Sequence, residues 1–125
     1  MGEVETYFFD TYAFYELIHG NPNYAKYSSN IVIVTTKLNL MELHYGLMLI
    51  HGKHKADAYY DEFAKFSVDF NDKTIKLANE FKMYNKSKKL SYVDCIGYIT
   101  AKSMNILFLT GDKGFENIDN VEYVK

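Results

Sequence analysis

Residues 31–35 read IVIVT, an almost unbroken β-branched run. Such side chains are stiff at χ1 and crowd a helix, but they pack well on a pleated strand. A run without polar alternation predicts a strand buried on both faces, the kind found in parallel sheets covered by helices. ILFLT (106–110) reads as a further strand, and Val4 to Phe9 is also β-prone. Between these strands the apolar residues fall at helical spacing. Ala13, Phe14, Leu17 and Ile18 form one set, which Gly20, Asn21 and Pro22 stop. Leu40, Leu43, Leu47 and Ile50 mark one face of the next helix, and Met41, Tyr45 and Met48 mark a second. After His51, Gly52 and Lys53, the residues Ala56, Tyr59, Tyr60, Phe63 and Phe66 line a third helix. Ile75, Ala78, Phe81 and Tyr84 line a fourth, over Asp72 to Lys88, and Ser91 to Ser103 reads as a fifth. A short helical piece at Asn23 to Ser28, a short strand at Ser67 to Phe70 and a last edge strand, VEYV (121–124), complete the expectation. The fold predicted is a three-layer α/β domain with a central, mainly parallel sheet flanked by helices. Residues 1–125 are expected to form one domain, burying roughly two-thirds of the surface of the unfolded chain.

Composition narrows the function classes. One cysteine, Cys95, excludes an internal disulfide and suits a reducing compartment such as the cytoplasm. The chain has no run of eighteen apolar residues, and its acidic start MGEVETY lacks the marks of a signal peptide, so no membrane partner is expected. The formal charge of −2 gives no overall basic field, so a nucleic acid would have to be held by a local patch or through bound cations. Every basic residue apart from histidine is Lys; without Arg the bidentate grip on phosphate is missing.

Four acidic residues stand out once placed on the predicted frame. Asp10 ends the first strand, Glu42 lies in the first turn of the helix after the second, Asp94 lies in the first turn of the Ser91 helix, and Asp112 follows ILFLT. In a parallel α/β sheet the helix N-termini gather where the strand C-termini emerge, which is also where ligands bind. All four should crowd that edge. Each has a structural explanation taken singly. Asp is a favoured N-cap, Asn39–Glu42 and Ser91–Asp94 have capping-box-like spacing, and Asp112 lies in a Gly-flanked turn. Together they repel, at a cost of roughly 4 kcal/mol for two charges about 4 Å apart at an effective dielectric of about 20. Helix N-termini return only about 0.3–1 kcal/mol each. A hard divalent cation, Mg²⁺ or Mn²⁺, is the natural compensation.

Four segments carry a resemblance: FFDTYAFYEL, IVIVTTKLNLMELHYG, LSYVDCIGYITA and ILFLTGDKGF, which together span Phe8 to Phe115. In kind and order they resemble the motifs of PIN-domain ribonucleases of the small prokaryotic VapC toxin type. The resemblance implies a metal-dependent endoribonuclease in which Asp10, Glu42, Asp94 and Asp112 bind Mg²⁺ or Mn²⁺, with Thr11 and Thr110 supporting. It implies RNA as substrate and a small antitoxin as partner. The chain departs from many relatives in having Gly111 where they have Arg, and Lys113 is the nearest cation. Two other readings stay open: a PIN nuclease of RNA processing, and a non-enzymatic interaction module on the same scaffold.

The remaining candidates have plainer explanations. His44, His51 and His54 cluster in sequence but lack Cys companions for a zinc site. Cys95 suits a small core residue. Lys82, Lys86, Lys88 and Lys89 form a basic run that suits a helix C-terminus, with Lys86, Lys88, Lys89 and Lys113 as candidate RNA contacts. Apolar residues on both faces of the Leu40–Ile50 helix point to a homodimer through that helix and the aromatic-rich one after it.

Overall fold

The computed structural model describes residues 4–125; the first residues of MGEVETY lie outside it. Among the described residues four strands form one sheet: β1 (Glu5–Phe9), β2 (Ile31–Val34), β3 (Leu107–Thr110) and β4 (Val121–Tyr123). Their order is β2-β1-β3-β4 and every pairing is parallel. The helices are α1 (Thr11–Ile18), α2 (Lys37–His51), α3 (Lys53–Phe63), α4 (Asp72–Tyr84) and α5 (Tyr92–Ser103). Single 3₁₀ segments occupy Pro22–Tyr27, Ala64–Phe66, Lys86–Lys88 and Lys113–Phe115.

The pleat divides the apolar residues between two layers, because successive strand side chains face opposite ways. Tyr7, Phe9 and Leu109 join Phe14, Leu40, Leu43 and Leu47 in a core with α1, α2 and α3. Phe8 and Phe108 point to the other side, where Ala78, Cys95, Tyr98 and Phe115 meet them from α4, α5 and the last loop. The rings of Phe8 and Phe108 stack with centroids 5.4 Å apart. Gly97 lets α5 lie close upon them, since a Cβ there would come within 3.0 Å of Phe8.

Several expectations are corrected. β2 is an edge strand, and the IVIVT run is not buried on both faces: Val32 is 47% exposed, and within the strand only Val34 is buried. The doubly covered strands are β1 and β3, as their position inside the sheet requires. The Ser67–Phe70 strand reduces to a single parallel bridge between Thr35 and Ser67. The fourth helix stops at Tyr84, where the Asn85 side chain donates to the Phe81 carbonyl, and Lys86–Lys88 continues as a 3₁₀ turn. Ile75 and Tyr84, at its two ends, are exposed while Ala78 is buried. On α2, Leu40, Leu43 and Leu47 are buried, but Ile50 in the last turn faces solvent. Among the described residues no helix is long and apolar enough to cross a membrane.

Candidate active site

The chain leaves β1 to one side, toward β2, and returns through α2–α5 to β3 on the other side. The point of reversal lies between β1 and β3, and the C-terminal ends of such strands form the crevice that binds ligands in α/β sheets. Asp10 follows β1 at that point and its N–H donates to the Leu109 carbonyl at 3.1 Å. It stands at the N-cap position of α1, with extended backbone, but its side chain makes no capping hydrogen bond. Instead Oδ2 accepts from Thr110 Oγ1 at 2.8 Å and Oδ1 from Asn39 Nδ2 at 3.4 Å. The residue is 2% exposed. Burial, then the charges of Asp94 and Glu42, push its pKa up to about 8, against the pull of Thr110 and the Thr11 backbone.

Glu42 is the sixth residue of α2, not part of its first turn. The cap of this helix is Thr36, whose Oγ1 accepts from the Asn39 N–H at 3.3 Å. No Asn39–Glu42 capping box therefore exists. Asn39 is fully buried; its side chain accepts from Thr36 Oγ1 at 2.7 Å and donates toward Thr11 Oγ1 at 3.2 Å as well as Asp10. Thr11 in turn donates to Glu42 Oε1 at 2.8 Å. Burial raises the pKa of Glu42, the Thr11 hydrogen bond opposes it, and the charge of Asp94 adds to the rise. Asn39, treated in the sequence only as a cap, thus ties two of the acids together. The signal available in the sequence was a rival capping spacing, Thr36-x-x-Asn39, which would place Asn39 inside the helix.

The capping box at Ser91–Asp94 is present: Ser91 N–H donates to Asp94 Oδ2 at 2.9 Å and Asp94 N–H to Ser91 Oγ at 3.0 Å. The other oxygen, Oδ1, has no hydrogen-bond donor among the described residues. Burial raises the pKa of Asp94; the Ser91 hydrogen bonds oppose this, Asp112 adds to it, and Lys82 lowers it. Asp112 caps the Lys113–Phe115 turn through Gly114 N–H at 3.0 Å, and its own N–H donates to Thr110 Oγ1 at 3.1 Å. Thr110 therefore links Asp10 to Asp112, as Thr11 links Asn39 to Glu42. The four acids form one electrostatic group, and none takes part in the ion pairs of the described residues, Lys26–Glu122, His44–Asp57, Lys53–Asp57 and Lys102–Asp119. No three His, Cys, Asp or Glu side chains among the described residues close on a single point.

Gly111 also has a local reason. A Cβ there would lie 2.3 Å from the Val124 carbonyl oxygen and 2.4 Å from the Tyr12 ring, so Arg has no room at this position. Lys86, Lys88, Lys89 and Lys113 are exposed. The loop that carries Lys88 comes against the Asp112 turn, since a Cβ on Gly114 would be 3.1 Å from the Lys88 carbonyl oxygen and 2.7 Å from Leu90. The three histidines do not converge: His44 bonds Asp57 at 2.7 Å and His51 bonds His19 at 2.9 Å. Cys95 is buried, and burial with the Asp94 charge pushes its thiol up to about 11, as suits an inert core residue.

The profile of the PIN domain family matches residues 7–121. The chain belongs to the PIN domain family. Solved structures share the fold at low identity. The VapC20 toxin of Mycobacterium tuberculosis, described as cleaving the sarcin-ricin loop, is 18% identical with a TM-score of 0.79, over 95% of this chain and 99% of that one. VapBC2 of Rickettsia felis, bound to a fragment of its promoter DNA, is 21% identical with a TM-score of 0.71, over 96% and 99%. VapBC-1 of nontypeable Haemophilus influenzae is 16% identical with a TM-score of 0.71, over 94% and 96%. No curated protein matches the chain at a significant level. In this PIN domain the four acids stand at the sheet edge described above.

Proposed function

We propose that this PIN domain is a metal-dependent endoribonuclease, the toxin of a toxin–antitoxin pair, in which Asp10, Glu42, Asp94 and Asp112 hold Mg²⁺ or Mn²⁺. Asp10 carries the reading. It is a carboxylate at the switch point of the sheet, nearly sealed from solvent, released from capping and facing two other acids, with no cation paired to it among the described residues. A carboxylate so placed stays protonated unless a positive charge joins it. The donors are carboxylate oxygens, which suit Mg²⁺ or Mn²⁺ better than softer metals. Their spacing does not enclose an ion, and Mg²⁺ commonly keeps several waters while one or two carboxylates hold it. Such an ion, when bound, would acidify water and neutralise charge on the scissile phosphate.

The work of the chain is to hold the acids apart and aimed. Thr110 and Asn39 fix Asp10, Thr11 fixes Glu42, and Ser91 takes one oxygen of Asp94 while leaving the other free. The sarcin-ricin loop activity named for the Mycobacterium tuberculosis toxin and the VapBC complexes of the other neighbours support an RNA substrate and a protein antitoxin for this chain. The family match over residues 7–121 supports one nuclease domain. The single cysteine suits a reducing compartment, and the cytoplasm is the location that goes with this reading. The test is cleavage of labelled RNA by purified protein with Mg²⁺ or Mn²⁺. Cleavage is expected to stop with EDTA and to be absent from identically prepared Asp94→Asn. Equal cleavage by the two preparations would reject the proposal.

A further inference from the structure

Tyr92 opens α5, two residues before Asp94, and is 63% exposed. Lys82 reaches it from the last turn of α4, with Nζ 4.9 Å from the centroid of the Tyr92 ring. The same ammonium donates to the Leu90 carbonyl at 2.5 Å. A helix-capping lysine would serve the carbonyls at its own C-terminus. Here Asn85 takes the Phe81 carbonyl, and Lys82 crosses to the next segment. An ammonium has three N–H groups, so two remain for another acceptor. Leu90, the anchor, is buried and packs near Gly114, in the turn that Asp112 caps. Lys82 and Tyr92 therefore belong to the rim of the acidic edge, and the Lys82 charge acts on Asp94.

We infer that Lys82 and Tyr92 form a nucleotide subsite, in which an unpaired base of the RNA substrate stacks on the open face of Tyr92 and Lys82 takes the adjoining phosphate. The inference rests on the nuclease reading and adds to it where the RNA backbone is gripped in a chain without Arg. An exposed aromatic ring with a fixed cation beside it is the usual platform for single-stranded nucleic acid, since every base offers a π-face. The ammonium lies over the ring, and the residue is still 63% exposed, which leaves area for a base to stack on. Lys86, Lys88, Lys89 and Lys113 are all exposed nearby in the chain or across the Gly114 contact, and they extend a positive field along the same rim. A phosphate-bearing chain finds both charge and stacking at this rim.

The test is single-turnover cleavage of a short unstructured RNA with Mn²⁺, measured as rate against protein concentration. Tyr92→Ala is expected to raise the half-saturating concentration about tenfold, the scale of one lost base stack. Tyr92→Phe, which keeps the ring, restores the parent value. Lys82→Met, once its melting temperature shows it folded, raises the half-saturating concentration and reduces the salt dependence by about one phosphate contact. Parent cleavage with an unchanged half-saturating concentration in Tyr92→Ala overturns the subsite and leaves the nuclease reading standing. A fall in maximal rate alone overturns it too. Absence of cleavage by the parent itself removes the nuclease reading and the subsite together.

Discussion

Asp10 occupies the position of an N-cap and does not cap. Its oxygens go to Thr110 and Asn39, and its neighbours in charge are Asp94 and Glu42. This gives the metal-free protein a particular pH dependence. The carboxyl ordinarily loses its proton near 3.8 and in the fold does so near 8. Between those values the folded protein keeps a proton that the unfolded chain has released. The stabilisation is full below about pH 4 and is lost as pH rises through 8. In EDTA the melting temperature of the parent is therefore expected to fall from pH 5 to pH 8.5 more steeply than that of Asp10→Asn, which has no such proton. At pH 8.5 the variant should be equally or more stable. Parallel pH profiles for the two proteins would show that Asp10 is not perturbed.

At the scale of elements, the helix starts explain where the sequence was readable and where it was not. Thr36-x-x-Asn39 and Asn39-x-x-Glu42 offer the same capping spacing three residues apart, and spacing alone does not choose between them. The structure takes the first, which moves Glu42 into the second turn and buries Asn39. Ser91-x-x-Asp94 has no such rival, and its box is present. Strand periodicity likewise located IVIVT and ILFLT, but an apolar run does not say whether a strand is inner or edge, which depends on what covers it. Gly111 gives a prediction at this scale. Ala there would press on the backbone of Val124 and on Tyr12. Such overpacking costs about 1–3 kcal/mol, so Gly111→Ala should lower stability by that amount in urea unfolding. A variant as stable as the parent would mean that the β4 end yields freely.

At the scale of the whole molecule, the alternation of strand and helix was enough to bring the four acids to one edge, because parallel topology leaves them no other. The alternation could not show which acid is buried, that Thr11 and Thr110 are the links, or that Lys82 turns toward Tyr92; those follow from packing between segments far apart in sequence. The outer face of α2 adds a further expectation. Met41, Tyr45 and Leu49 recur every fourth residue and are 58%, 62% and 71% exposed, a stripe that a second copy would cover. Light scattering at micromolar concentration should report a dimer that Leu49→Glu weakens; a monomeric parent would reject it. The central claim is that the acidic edge is a divalent-metal site. Melting temperature in EDTA and in millimolar Mn²⁺, for the parent, Asp10→Asn and Asp94→Asn, tests it most directly, because a ligand that binds only the folded state stabilises it as RT ln(1 + [L]/Kd). The parent is expected to gain stability with Mn²⁺ and both variants to lose most of that gain. An equal response to Mn²⁺ in all three proteins would contradict the account.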